Sequence, residues 1–72
     1  MSNSLHGTDA KVIAEQAEIY KHKGYANRAD YLRGLAEENG VDLDIVLVIA
    51  DMLGPYEDFD GLVSMVEDIA YM

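Results

Sequence analysis

From Val41 to Gly54 the chain reads VDLDIVLVIADMLG, with six consecutive apolar residues between Ile45 and Ala50. A helix with one buried face needs an apolar stripe only a little over 100° wide. An unbroken run therefore asks for cover on several sides, from the rest of the fold or from a partner. Asp42, Asp44 and Asp51 frame it with charge. A short apolar run is ambiguous between helix and strand by period alone. Here Asp42 or Asp44 can cap a helix, the pattern continues through Met52 and Leu53, and Gly54-Pro55 is a strong stop. The chain offers no second strand-like run to pair with this one, and a lone strand cannot satisfy its own backbone. The segment is expected to be a helix over about 43–53.

The flanking sequence divides into three further helices. Ala10, Ile13, Ala17 and Tyr20, widened by Val12 and Ile19, predict a helix over about 9–22. Asp9 suits its start, while Lys21, His22 and Lys23 suit its end before Gly24. Asn27 with Asp30 three residues on resembles a capping box, and Ala29, Leu32, Leu35 and Ala36 form the next stripe. That helix is expected over about 28–38, closed by Gly40. Leu62, Val63, Val66, Ile69 and Ala70 give a last helix over about 58–70, with Glu57, Asp58 and Asp60 at its positive start. The fold class is all-α: a small four-helix domain over residues 9–72, preceded by a flexible segment at 1–8.

With 72 residues, a single domain of this length hides only about 60% of the surface its unfolded form exposes. It has no cysteine, so disulfides and thiolate metal sites are excluded. No apolar run approaches the roughly 20 residues of a membrane span, and the start of the chain lacks a secretory layout. A cytoplasmic protein without membrane contact is expected. Charge is unevenly placed. Residues 1–33 hold all five cations (Lys11, Lys21, Lys23, Arg28, Arg33) against four acids, a net of +1. Residues 34–72 hold ten acids and no Lys or Arg.

Two segments resemble known motifs. Leu35-Ala36-x-x-x-Gly40-Val41-x-x-x-x-Val46-x-x-Ile49 resembles the helix-turn-helix signature, where a small residue permits close approach and a glycine makes the turn. The resemblance implies a helix-turn-helix-like corner between the second and third expected helices. It also places Asp42, Asp44, Leu47, Val48 and Asp51 on the outside of the would-be recognition helix. Among them is no Arg, Lys, Asn or Gln to meet base edges, and the carboxylates would repel phosphates. A degenerate DNA-binding version would have to use Lys21, Lys23, Arg28 and Arg33. Tyr56-x-Asp58-x-Asp60-Gly61, followed by Glu67, resembles the EF-hand calcium loop with its first Asp replaced by Tyr56. What that implies is at most weak calcium binding, since the intact loop uses all its oxygens. The competing reading is of acids capping the last helix.

Catalytic constellations are lacking. Ser2 and Ser4 lie in the terminal segment, and Ser64 faces no assignable histidine. His6 and His22 are a helix length apart, too far to share a metal. No enzyme activity, cofactor or metal site is expected. The acidic half is the most distinctive surface, and Glu37, Glu38, Asp42, Asp44, Asp51, Glu57, Asp58 and Asp60 are its candidate contacts for a protein partner with a basic surface. In charge and size the chain is similar to small nucleic-acid-mimic inhibitors of phages and mobile elements. Direct nucleic-acid binding is not expected. Leu47, Val48 and Met52 cannot all face inward beside Val46, Ile49 and Leu53, so they are the candidate self-association residues of a homo-oligomer.

Overall fold

The computed structural model describes residues 7–72. Within them the chain forms α1 (Gly7–Glu15), α2 (Ala17–His22), α3 (Arg28–Asn39), α4 (Leu43–Leu53), a 3-10 turn at Pro55–Glu57, and α5 (Gly61–Ala70). All regular structure among the described residues is helical. Most of the segment expected to be flexible, with Ser2, Ser4 and His6, lies outside the described residues.

The first expected helix is in fact two. At Gln16 the chain tightens, its carbonyl accepting from the amides of both Ile19 (2.9 Å) and Tyr20 (3.1 Å). Val12 and Tyr20, on either side of the joint, are both buried, and the Gln16 side chain donates to the Tyr20 hydroxyl (3.0 Å) and to the Pro55 carbonyl (3.1 Å). Periodicity alone does not mark such a joint.

α3 starts as its sequence predicts. Asn27 Oδ1 accepts from the Asp30 amide (2.9 Å), and Asp30 Oδ2 reaches back to the Ala26 amide (3.0 Å). This is a capping box displaced by one residue. Its buried face is Tyr31, Leu32, Leu35 and Ala36, so Tyr31 takes the place expected of Ala29, which is exposed. Gly40 ends it at φ +67°, a left-handed conformation that costs any L-residue with a Cβ about 1–2 kcal/mol. The Val41 amide bonds the Ala36 carbonyl (3.0 Å) and the Gly40 amide bonds that of Glu37 (3.3 Å). These are the paired bonds of a Schellman motif. Asp42 Oδ1 then accepts the Asp44 amide (2.9 Å) and starts α4. The α3–α4 corner is thus three residues long, Gly40 to Asp42.

α4 spans the expected residues, and buries Val46, Ile49 and Ala50. α5 begins later than expected, because Glu57 to Asp60 are used in turns. Its start is held by Glu57, whose Oε1 accepts the Gly61 amide (3.2 Å), while Asp60 makes no side-chain cap bond. One apolar cluster joins Tyr20 of α2, Tyr31, Leu32, Leu35 and Ala36 of α3, Val46, Ile49 and Ala50 of α4, and Leu62 and Val66 of α5.

Candidate functional site

Asp58 is the most connected polar residue of the fold. Its carboxylate is fully buried. Oδ2 accepts from Arg28 Nε (2.7 Å) and from the Tyr20 hydroxyl (2.5 Å), and Oδ1 accepts from Arg28 Nη2 (2.9 Å). The Tyr31 hydroxyl donates to the Asp58 carbonyl oxygen (2.6 Å). A two-pronged guanidinium–carboxylate pair of this kind combines charge with fixed orientation. Phe59, next in sequence, lies 5.2 Å from the Tyr20 ring and 5.1 Å from the Tyr31 ring between centroids. The turn after α4 is therefore fastened to α2 and α3 by one residue's polar groups and its neighbour's ring.

Burial pushes the Tyr20 hydroxyl well above the usual tyrosine range, reinforced by its bond to Asp58. Burial likewise pushes Tyr31 up to about 12, with the Asp58 charge adding to the effect. Both groups hold their proton more tightly folded than unfolded, so their contribution is complete below about pH 10, the ordinary tyrosine value. It is lost as pH rises from there through the folded values. The part of the tyrosinate absorbance that belongs to Tyr20 and Tyr31, isolated by Tyr→Phe substitution at each, should therefore rise together with the loss of helicity above about pH 10. Ionisation of both while the helical signal stays intact would refute this.

These contacts correct one expectation. Asp58, counted among the partner-facing carboxylates, cannot present its charge outward, because that charge is already met by Arg28 and Tyr20. The same contacts occupy the Asp58 oxygens that an EF-hand-like loop would lend to calcium. Among the described residues no three His, Asp or Glu side chains converge on a point where a metal could sit. Arg28 is removed from the cations available for contact with DNA, and Arg33 pairs with Asp30 (3.0 Å).

The other seven acidic candidates remain at the surface. Glu37, Glu38, Asp42, Asp44, Asp51 and Asp60 are exposed and Glu57 is half-buried. Glu38 accepts from the Tyr25 hydroxyl (3.0 Å), a bond that raises the Tyr25 pKa. Glu67 and Asp68 on α5 are exposed as well. Among the described residues the ion pairs are Arg28–Asp58 and Arg33–Asp30. Among the described residues Asp58 is thus the one acid of residues 34–72 with a cationic partner, and nine carboxylates there have none.

The apolar candidates are exposed, but they do not form one patch. Leu47, Val48 and Met52 are 42%, 62% and 69% exposed, and Ile45 joins them at 44%. At 100° per residue, Ile45, Val48 and Met52 fall within about 60° of one another and line one ridge of α4. Asp44 and Asp51 run alongside, and Leu47 lies beyond them on the far flank. The self-association surface expected from three residues is therefore divided by two carboxylates.

The buried node was missed by the sequence reading. Its signals were present in Tyr20 and Tyr31 on apolar stripes, in Arg28 one residue past a helix cap, and in Phe59, a lone phenylalanine set between two acids. No helix of the described residues is long and apolar enough to cross a membrane. Comparison with protein-family models, curated proteins and solved structures finds no match.

Proposed function

We propose that the chain is a non-catalytic binding protein whose acidic half docks on a basic surface of a protein partner, in the manner of a nucleic-acid mimic that occupies phosphate-binding positions. What supports this reading is the set of nine carboxylates of residues 34–72 without a cationic partner among the described residues. Eight of them are exposed and Glu57 is half-buried. Concentrated charge of one sign speeds encounter with an oppositely charged partner and suppresses others. A short anionic helical domain can meet cations that ordinarily hold phosphates. The contacts proposed are Glu37, Glu38, Asp42, Asp44, Asp51, Glu57 and Asp60. Contact of the chain itself with duplex DNA is the weaker reading, since Lys21 and Lys23 are the two cations of its proposed set outside any ion pair among the described residues.

The test begins with capture of the partner from the native host and its purification. Exposed charges are screened over about 10 Å at 0.1 M salt and about 3 Å at 1 M. Affinity for the purified partner should fall steeply over that range, and duplex DNA should compete. Neutralising Glu37, Glu38, Asp42 and Asp44 to their amides should weaken binding and leave helicity unchanged, because Asn keeps the cap at position 42. Affinity that is indifferent to both salt and these substitutions would overturn the proposal. Retardation of DNA by the chain alone at low salt would favour the DNA-binding reading.

A further inference from the structure

Resting on that reading, we infer that the α4 ridge of Ile45, Val48 and Met52, with Asp44 and Asp51 beside it, is the seat for a basic amphipathic helix of the partner protein. The ridge residues stand at i, i+3 and i+7, the spacing by which one helix offers anchors to another. Three apolar side chains exposed together on an otherwise polar face are not explained by the fold. Val46, Ile49 and Ala50 already fill the core side of the same helix. The accompanying charges define the occupant. Asp44 and Asp51, seven residues apart, lie on one flank, and neither has a cationic partner among the described residues. A helix laid along the ridge with Leu or Ile facing it would bring Lys or Arg on its edge against both carboxylates.

A second copy of this chain fits the same ridge poorly. Paired antiparallel about a two-fold axis, the two α4 helices would bring Asp44 and Asp51 of each copy near those of the other. The ridge also runs only about 10 Å along the helix. A stable interface buries about 800 Å² on each partner, far more than this ridge supplies. A basic helix reaches a useful affinity on a smaller apolar contact because the flanking charges attract it.

The discriminating probe is a synthetic 14-residue helical peptide of Leu and Lys only, with Leu on one face. Oligolysine of equal charge and a Gln-for-Lys version serve as comparisons. Backbone amide shifts on titration should map the Leu–Lys peptide to residues 44–52, with weaker and unlocalised binding of oligolysine and none of the Gln version. Val48→Ser with Met52→Ser should weaken the Leu–Lys peptide about tenfold or more, the loss of roughly 1.4 kcal/mol. The same substitutions should leave oligolysine binding unchanged. Asp44→Asn with Asp51→Asn should weaken both. Circular dichroism checks that each variant stays folded.

Equal affinity for oligolysine and the Leu–Lys peptide, or no effect of the serine pair, would overturn the ridge as the seat while leaving the acidic docking surface standing. Failure of both cationic peptides to bind would overturn both. Concentration-dependent dimerisation that the serine pair abolishes would give the ridge to a second copy instead.

Discussion

Asp58→Ala is expected to cost about 3–5 kcal/mol, the loss seen when one member of a buried ion pair is removed. A 72-residue domain has roughly 4–11 kcal/mol in all, so the variant should lose a large share of its stability and unfold at a much lower urea concentration. The cause is what remains after the deletion rather than the strength of the pair. Arg28 would keep its charge with only neutral neighbours, the Ala50 carbonyl at 3.5 Å and the Tyr20 hydroxyl. The Tyr20 hydroxyl would lose its acceptor. Arg28 is 21% exposed and can rehydrate in part, which holds the loss toward the lower end of the range. Asp58→Asn should cost less, since it keeps an acceptor for Tyr20. Replacing the pair together, Arg28→Met with Asp58→Leu, should recover much of the loss, because buried ion pairs exchange for apolar residues at little net cost. Urea unfolding of the three variants measures all of this. Asp58→Ala within about 1 kcal/mol of the parent would mean that the node does not hold the fold.

The contrast between Asp58 and the other acids shows what was legible in the sequence. Helix positions were readable where a cap or stop acts locally. Asn27 and Asp30 start α3, Gly40 ends it, and Asp42 and Gly54 bracket α4, each within a few residues of its partner. α4 could be bounded to the residue. The Gln16 joint carries no local signal, and the Gln16 side chain bonds a distant partner, the Pro55 carbonyl 39 residues away. Asp58 was misplaced for the same reason. Its type and its acidic neighbours argue for a solvated helix start, whereas Arg28, 30 residues earlier, decides that it turns inward. Carboxylates such as Asp44 and Asp51 were placed correctly, since nothing distant competes for them. Whether the apolar excess of α4 forms one patch or two follows from helix angle, once the buried side of the helix is known.

Ile49→Ala and Val48→Ala are adjacent truncations of aliphatic side chains, and they should differ severalfold in cost. Ile49 is 6% exposed and packs within the cluster joining α2, α3, α4 and α5. Its truncation should cost about 2–5 kcal/mol, from lost burial and the cavity left behind. Val48, 62% exposed, should change stability by no more than about 0.5 kcal/mol. Thermal or urea unfolding of the two variants decides it, and comparable losses would mean that the ridge is covered within the fold itself. The comparison separates two roles within the single apolar run that dominates the sequence. Losses at Val46, Ile49 and Ala50 would report on the core. A substitution at Val48 that leaves stability alone is suited to reporting on binding, because any change in affinity then arises at the surface. If Val48 is silent in stability and the serine pair weakens the Leu–Lys peptide, the six-residue run is explained by both demands. One side of α4 would then hold the helices together, and the other would meet a partner between two aspartates and the solvent.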